Sequence, residues 1–214
     1  TLRPDTVMGI TNVYVNPKET YIAATVNGEH WIIGKPLVKK LQMQDFKVEV
    51  TGDVSGKSLI GKKVTTFAGE QILVLPASFL DIDYGTGMVH SVPSDSADDL
   101  IALRNLQADD TLLEAYGLDK NEVRAIQPIA VFDTPDIGGC PAQFFLDKHK
   151  VSSQNDRGKL EEIKKELYTL TFNQSRFNER YAKGFSSDLQ GKLVKDGQSI
   201  IKKDLLQRKA ICLF

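Results

Sequence analysis

The chain has 214 residues, of which 41% are hydrophobic, and this composition suffices for a sizeable core and excludes a wholly disordered protein. The 27 basic and 28 acidic residues nearly cancel, so no overall field draws in nucleic acid or an anionic membrane. Any contact with RNA is therefore predicted to be local. The longest apolar runs, such as Ile72–Leu75, are too short to span a bilayer. Two distant cysteines, Cys140 and Cys212, fit reduced thiols, and we expect a cytoplasmic protein.

Short alternating runs of apolar and polar residues predict β-strands over the first half of the chain. The dipeptide Asn27-Gly28 supplies the positive φ angles of a hairpin turn between two of them. Many strands joined by short turns indicate a barrel or a curled sheet. The predicted strands are Val13–Val15, Tyr21–Val26, His30–Ile33, Lys47–Thr51, Lys63–Phe67, Gln71–Leu75 and Gly87–Val92.

Apolar residues at helical spacing predict helices after Pro93. The predicted helices are Asp98–Leu106, Asp156–Tyr168 and Ser199–Lys209, and the predicted loops are Asp53–Ser58 and Asp133–Gly139. The fold class is mixed α+β, with a β-barrel-like core of short strands and peripheral helices. We expect a single domain over residues 1–214, excised from a larger protein, with helical decorations around residues 107–127 and 154–170.

The first candidate site is the run Thr1–Thr6, which places hydroxyls and an arginine around a proline. Pro4 fixes one φ angle and has no N–H. The run fits an ordinary connection from a strand into a turn. It also fits a pocket wall, in which Thr6 presents a small branched surface and Arg3 binds an anion through two hydrogen bonds.

The second candidate site is the run Gly85–Asp99, a glycine-rich strand that ends in a proline and a cluster of aspartates. Gly85 and Gly87 permit close approach by a ligand, although a β-bulge favours glycine as well. Asp99 follows Ser96 by three residues, which is the spacing of a helix capping box. A carboxylate at a helix N-terminus also stays ionised and can receive an ammonium group. Together the two runs predict one split site that binds an amino acid.

Other chemistries have no support in the sequence. The three histidines, His30, His90 and His149, lack the spacing of metal ligands, and no cysteine pair lies nearby, so no metal site is expected. His90 falls in a predicted strand, where it faces the pocket, the packed interior or solvent. No nucleophile elbow or Ser/His/Asp set is present. Water is therefore the expected nucleophile in any hydrolysis.

On these two motifs the chain resembles the editing domain of leucyl-tRNA synthetases, the insertion named connective peptide 1, over nearly its whole length. Thr1–Thr6 corresponds to the family's threonine-rich motif and Gly85–Asp99 to its Gly-Thr-Gly, Val-Pro and Asp motif. Ser152–Arg157 is similar to a segment of the archaeal and eukaryotic cytosolic type. Isoleucyl and valyl relatives usually have Thr-Pro-Trp-Thr at Arg3–Thr6 and Ala-Pro at Val92–Pro93, so the leucyl family is favoured.

The resemblance implies a role for each motif. Asp99 would anchor the α-amino group of a mischarged amino acid, and Thr6 would block the leucine side chain. Arg3 would organise the threonine loop or contact the terminal nucleotide, and these three are the predicted catalytic residues. Tyr84 would lie beside the adenine, with simple packing as the alternative. The predicted substrate-binding residues are Thr1, Leu2, Asp81, Tyr84, His90, Ser91, Val92 and Asp98.

The implied activity is post-transfer editing, in which water hydrolyses norvaline, isoleucine or a methionine-like amino acid from tRNA(Leu). The implied partners are the 3′-terminal adenosine and aminoacyl group of tRNA(Leu), the rest of the synthetase in cis and benzoxaborole-type inhibitors, with no membrane. Editing would need no cofactor, whereas ATP and Mg would serve a separate aminoacylation domain of the parent enzyme. Two alternatives stay open: an isoleucyl- or valyl-type editing domain, and a non-catalytic module that binds an amino acid or a nucleotide.

Overall fold

A computed structural model describes residues 3–208 of the chain. Several predictions concern residues outside this range: the contacts of Thr1 and Leu2, the thiol of Cys212 and the last residue of the predicted helix Ser199–Lys209. The strands are β1 Asn12–Val15, β2 Thr20–Val26, β3 Glu29–Gly34, β4 Val48–Ser55, β5 Lys63–Thr65, β6 Gln71–Pro76, β7 Val89–Ser91, β8 Phe132–Asp133 and β9 Arg176–Phe177. The α-helices are α1 Lys35–Gln42, α2 Gly56–Leu59, α3 Ala97–Ala108, α4 Asp110–Ala115, α5 Lys120–Arg124, α6 Pro141–His149, α7 Arg157–Gln174, α8 Glu179–Gly184 and α9 Val194–Gln207, and 3₁₀ turns span Pro4–Gly9 and Ser187–Leu189.

The central sheet has the strand order β5-β6-β1-β7. Strand β1 pairs in parallel with β6 and antiparallel with β7, and the second pairing places Asn12 opposite Ser91 and Val13 opposite His90. This pairing brings the end of the second motif beside the chain that follows the first. Helix α3 then packs on the sheet, where its Leu103 shares an apolar cluster with Tyr14.

The second sheet has the order β3-β2-β4 and forms a separate lobe with α1. Its hairpin turn uses Asn27 and Gly28, whose φ values are 49° and 89°, as the sequence predicts. An apolar cluster that contains Val15, Tyr21, Leu59 and Val74 joins this lobe to the central sheet. The contact is tight, because a Cβ atom added at Gly56 would lie 2.1 Å from the backbone oxygen of Asn16.

Helices cover the other side of the molecule. Helix α3 packs against α6 and α7 through a cluster that includes Leu100, Phe145 and Leu160. Helices α8 and α9 pack on the first 3₁₀ turn through a second cluster that includes Val7, Tyr181 and Ile201. The first motif is therefore enclosed by elements that come from the far end of the sequence.

The mixed α+β class is confirmed, but the strands of residues 3–208 do not close into a barrel. They form two separate sheets of four and three strands and one short pair. Helices occur in both ranges predicted as decorations, as α4 and α5 and as α7.

Two local predictions are wrong. The predicted loop Asp53–Ser58 is the end of β4 followed by α2, because the strand continues along β2 through a bulge between Ala23 and Ala24. Helix α1 lies between the predicted strands His30–Ile33 and Lys47–Thr51, where no helix was predicted. Its Pro36 and its buried Leu37 and Leu41 have the pattern of a short amphipathic helix, which the strands on both sides obscured.

Among residues 3–208, no helix is long and apolar enough to cross a membrane.

Candidate functional site

Pro4, Asp5 and Thr6 of the first motif begin a 3₁₀ turn, Pro4–Gly9, whose residues are all buried. Pro4 begins the turn, where its missing N–H costs no hydrogen bond. The backbone N–H and the hydroxyl of Thr6 both donate to the carbonyl oxygen of Arg3, at 3.2 and 3.0 Å. The hydroxyl of Thr6 is therefore engaged within its own turn, and the whole residue is buried.

Arg3 is held by its neighbours in the fold. Its Nη2 and Nε donate to Oδ2 of Asp5 at 2.5 and 3.0 Å, and its guanidinium lies 4.7 Å from the ring centroid of Tyr168. Burial lowers the pKa of Arg3, but the charge and hydrogen bond of Asp5, together with Asp95 and Tyr168, outweigh this effect and the net shift is upward. Arg3 therefore stays charged and ties the first motif to α7, which fits the predicted role of organising the threonine loop.

The second motif ends at the N-terminus of α3, where Asp99 makes two contacts. Its Oδ2 accepts a hydrogen bond from the backbone N–H of Val92 at 2.8 Å. Its own backbone N–H donates to the hydroxyl of Ser96 at 3.3 Å, which is one half of the predicted capping box, while its Oδ2 bonds to the Val92 N–H and not back to the backbone N–H of the N-cap. Burial raises the pKa of Asp99 to about 6, against the opposing effect of the Val92 N–H. The cap uses the backbone N–H of Asp99, and Val92 uses one of about four acceptor positions of its carboxylate, so the cap and a ligand-binding role are compatible.

The neighbouring aspartates have other partners. Asp98 pairs with Arg157 at 3.0 Å, and this ion pair links α3 to the first turn of α7. Asp95 is almost fully buried, and its Oδ2 accepts a hydrogen bond from the Ser94 hydroxyl at 2.6 Å. Burial raises the pKa of Asp95 to about 6, while Arg3 acts to lower it. Asp95 therefore lies within the electrostatic reach of the first motif.

Residues of β7 point to opposite faces of the central sheet. Ser91 is fully buried on the same face as Asn12 and Tyr14, where the Asn12 and Ser91 side chains both interact with the Tyr14 hydroxyl. His90 lies on the opposite face, half-buried, and burial lowers its pKa to about 4. Its imidazole is therefore neutral at neutral pH. The Val92 side chain is buried in the apolar cluster beside the first 3₁₀ turn.

The loop before β7 carries Asp81 and Tyr84. The backbone N–H of Tyr84 donates to the carbonyl oxygen of Asp81 at 3.2 Å, and the Tyr84 side chain is 64% exposed. Three hydrogen bonds attach this loop to the second sheet and α1. They join Gly34 N to Thr86 O, Lys40 Nζ to Asp83 O and Tyr21 Oη to Gly87 O, at 2.7, 2.7 and 2.9 Å. Tyr84 thus presents a bare aromatic face on an anchored loop.

Tyr168 of α7 joins the two motifs, and sequence reasoning missed it. Burial raises its pKa, and the charges of Arg3, Asp99, Asp98 and Asp5 all act on its hydroxyl. Its apolar spacing on α7 gave no sign of this role. Tyr168 thus lies against Arg3, to which Thr6 is hydrogen-bonded, and is also within the electrostatic reach of Asp99. Asp81 and Tyr84 lie on the loop that is hydrogen-bonded to the second sheet and α1.

Two surface cavities are lined by residues outside the two motifs. One of about 590 Å³ is lined by Thr25, Lys47 and Glu49 on the second sheet. The other, of about 560 Å³, lies between α6 and α7 and is lined by Phe144 and Lys165. Neither includes a residue of the two motifs, so cavity size does not identify the site. Among the described residues, no group of three His, Cys, Asp or Glu side chains could hold a metal ion.

The fold and the sequence were compared with known proteins. The solved structure of GlLeuRS-CP1 superposes with a TM-score of 0.87 at 30% identity, and the match covers 100% of this chain and 81% of that one. The chain belongs to the leucyl-tRNA synthetase editing-domain family. The cytosolic leucyl-tRNA synthetase editing domain of P. falciparum shares the fold, with a TM-score of 0.84 at 20% identity over 97% of this chain and 74% of that one. No protein-family model matches the chain.

Curated relatives of this editing domain are archaeal leucine–tRNA ligases. The enzyme of Pyrococcus horikoshii is 35% identical over 213 residues, which are 97% of this chain and 21% of the ligase. The enzyme of Archaeoglobus fulgidus is 40% identical over 169 residues, which are 78% of this chain and 18% of the ligase. The chain therefore spans about a fifth of the length of these relatives.

Proposed function

We propose that this chain hydrolyses the ester bond between a wrong amino acid and the 3′-terminal adenosine of tRNA(Leu). The observation that supports this most is Asp99, a carboxylate fixed by Val92 N–H at a capped helix N-terminus. Its charge acts on Tyr168, whose ring lies against Arg3 of the turn that holds Thr6. A fixed carboxylate attracts the α-ammonium group that every aminoacyl ester has, and membership of the editing-domain family supplies the reaction class.

The physical need for such a site follows from the small size of aliphatic side chains. One methylene in an apolar pocket is worth only about 1–3 kcal/mol, which does not separate leucine from its near isosteres accurately enough. A second site that accepts the wrong amino acids and rejects leucine supplies the remaining selectivity. In this proposal Asp99 holds the ammonium group, and the methyl group of Thr6 meets the branched tip of leucine.

The remaining residues would bind the rest of the substrate. Tyr84 offers its exposed ring to the adenine, and the backbone around Asp81 reads the edge of the base. Thr1 and Leu2 would face the terminal adenosine or the ester. His90, as a neutral imidazole, and the backbone of Ser91 and Val92 would border the amino-acid pocket. Asp98 would act indirectly, because its carboxylate pairs with Arg157.

The proposed ester hydrolysis requires mainly that the protein positions the substrate and a water molecule. An aminoacyl ester is activated, so an oriented water molecule and well-placed hydrogen-bond donors suffice without a strong base. No cofactor enters this hydrolysis, and ATP and Mg would belong to a separate aminoacylation domain of the parent ligase. The partners would be the aminoacylated 3′ end of tRNA(Leu) and the rest of the synthetase in cis, in the cytoplasm. A benzoxaborole-type inhibitor would compete for the same terminal adenosine.

Turnover of a panel of mischarged tRNAs by the full-length ligase tests the proposal. Norvalyl-tRNA(Leu) and isoleucyl-tRNA(Leu) are expected to lose their amino acid, while leucyl-tRNA(Leu) is spared. Clearance of only valyl-tRNA(Ile) would instead indicate an isoleucyl-type domain. Protection of every ester against hydrolysis would indicate a binding module without catalysis.

Binding of an uncleavable substrate analogue is expected to depend on pH. Asp99, with a pKa of about 6, is neutral below that value and charged above it. The analogue is norvalyl-adenosine in which an amide replaces the ester bond, and its α-amino group stays protonated at pH 5 to 7. Its Kd is therefore expected to be about tenfold higher at pH 5 than at pH 7. Calorimetric titration at both pH values measures this ratio.

Two controls isolate the contribution of Asp99. An analogue with a hydroxyl in place of the α-amino group, bound by the same protein, is expected to show no such dependence. The Asp99→Asn variant is expected to bind both analogues with similar and pH-independent Kd values. Equal pH dependence for the two analogues would contradict the pairing of Asp99 with the ammonium group.

A further inference from the structure

The carboxylate of Asp5 is fully buried and is the centre of a hydrogen-bond network. Its Oδ2 accepts hydrogen bonds from the guanidinium of Arg3 within the same turn. Its Oδ1 accepts a hydrogen bond from Nε2 of Gln198 at 2.7 Å. Its backbone oxygen accepts a hydrogen bond from the hydroxyl of Tyr181. Each oxygen of this residue therefore has a different partner.

The partners come from distant parts of the chain. Gln198 lies on α9 and Tyr181 on α8, both of which pack against the first 3₁₀ turn. Arg3 supplies the charge that a buried carboxylate needs, while Gln198 supplies a neutral donor on the opposite oxygen. Hydrogen bonds to an ionised group are short and directional, so the pair of contacts fixes the orientation of Asp5. The position of the turn relative to α9 is thereby fixed as well.

This network bears directly on the residue next to Asp5. The backbone N–H and the hydroxyl of Thr6 both donate hydrogen bonds to the carbonyl oxygen of Arg3, whose guanidinium is bonded to Asp5. Any shift of Asp5 therefore moves Thr6 with it. In the proposed function the methyl group of Thr6 excludes leucine by direct contact. A displacement of this methyl group would therefore leave room for the branched side chain of leucine.

We propose that Gln198 is a specificity-positioning residue, which sets the place of Thr6 through Asp5 and so maintains the exclusion of leucine. The inference rests on the proposed editing function, and it assigns part of the selectivity to a helix near the other end of the chain. A residue that only stabilised the fold would, when changed, lower the hydrolysis of all substrates together. A positioning residue changes the ratio between substrates.

The test compares hydrolysis of leucyl-tRNA(Leu) and norvalyl-tRNA(Leu) by the full-length ligase. Gln198→Met keeps the length of the side chain and removes the donor, and Gln198→Glu places a second carboxylate beside Asp5. The expected result is a rise in the leucyl-to-norvalyl rate ratio, of about tenfold for Gln198→Met and more for Gln198→Glu. The matched control is Gln207→Met, which changes an exposed glutamine of the same helix and is expected to leave the ratio unchanged.

A milder variant keeps the test decisive if the larger changes prevent folding. Gln198→Asn keeps an amide donor but shortens the side chain by one methylene, so its hydrogen bond to Asp5 is lengthened and weakened, and a smaller rise in the ratio is expected. An unchanged ratio in a folded variant, with both rates equal to wild type or lowered in parallel, would overturn the inference. Failure of the wild-type ligase to hydrolyse norvalyl-tRNA(Leu) would instead overturn the proposed function itself, so the two failures are distinguishable.

Discussion

Asp99→Ala in the full-length ligase is expected to lower the hydrolysis of norvalyl-tRNA(Leu) by at least about 100-fold. The change leaves the substrate ammonium group in a confined site without its counter-charge, and removal of one partner of such a pair costs about 3–5 kcal/mol. The Val92 N–H also loses its acceptor, so the strand end and the helix start are no longer tied together. Rates of deacylation under single-turnover conditions measure the effect.

Two further variants separate charge from fold in this experiment. Asp99→Asn keeps an acceptor for the Val92 N–H and removes the charge, so we expect a native circular dichroism spectrum together with most of the loss in rate. Asp196→Ala changes an aspartate in the first turn of α9 and is expected to retain the wild-type rate. Near-full activity of a folded Asp99→Ala protein would refute the anchoring role.

Thr6→Ala is expected to make the ligase hydrolyse correctly charged leucyl-tRNA(Leu). The substitution removes the methyl group that would meet the branched tip of leucine, and it also removes the hydroxyl that closes the turn onto Arg3. A lost contact of this size corresponds to about 1–3 kcal/mol, so leucyl-tRNA hydrolysis is expected to rise by about 10- to 200-fold. The steady-state yield of leucyl-tRNA(Leu) in an aminoacylation assay should fall accordingly.

A second buried threonine provides the matched comparison. Thr171 is fully buried in α7, and Thr171→Ala is expected to leave leucyl-tRNA(Leu) intact. Norvalyl-tRNA(Leu) hydrolysis should continue in Thr6→Ala, because Asp99 is unchanged. If leucyl-tRNA(Leu) survives in the folded Thr6→Ala ligase as it does in wild type, Thr6 is not the wall that excludes leucine.

Local sequence was sufficient where the cause of the structure is local. The hairpin at Asn27 and Gly28 follows from their backbone preferences, and the start of α3 follows from the spacing between Ser96 and Asp99. The apolar pattern also located α7, although the structure extends it to Gln174. In each case the residues that decide the structure lie within a few positions of one another.

The site could be predicted only in part, because several of its contacts join residues far apart in the chain. The buried state of Asp5 depends on Gln198 and Tyr181, whose bonds to it span more than 170 positions. Tyr168 reads as one more apolar position of an amphipathic helix, and only the packing of α7 brings it under Arg3. Polar residues at such positions give no periodic signal, since their partners are set by the tertiary fold.

The attachment of the Asp81–Tyr84 loop has a mechanical consequence. This loop connects β6 to β7 of the central sheet and is also hydrogen-bonded to the second sheet and α1, whereas Asp99 and Thr6 are hydrogen-bonded to Val92, Ser96 and Arg3 on the side of the central sheet. In the proposed complex the position of the adenosine would therefore depend on the second sheet as well as on the central one, and the apolar cluster that contains Tyr21 and Leu59 lies where the two sheets meet. Changes in the volume of side chains in this cluster are therefore expected to alter the distance between the Asp81–Tyr84 loop and the residues Asp99 and Thr6, although these side chains do not contact the substrate.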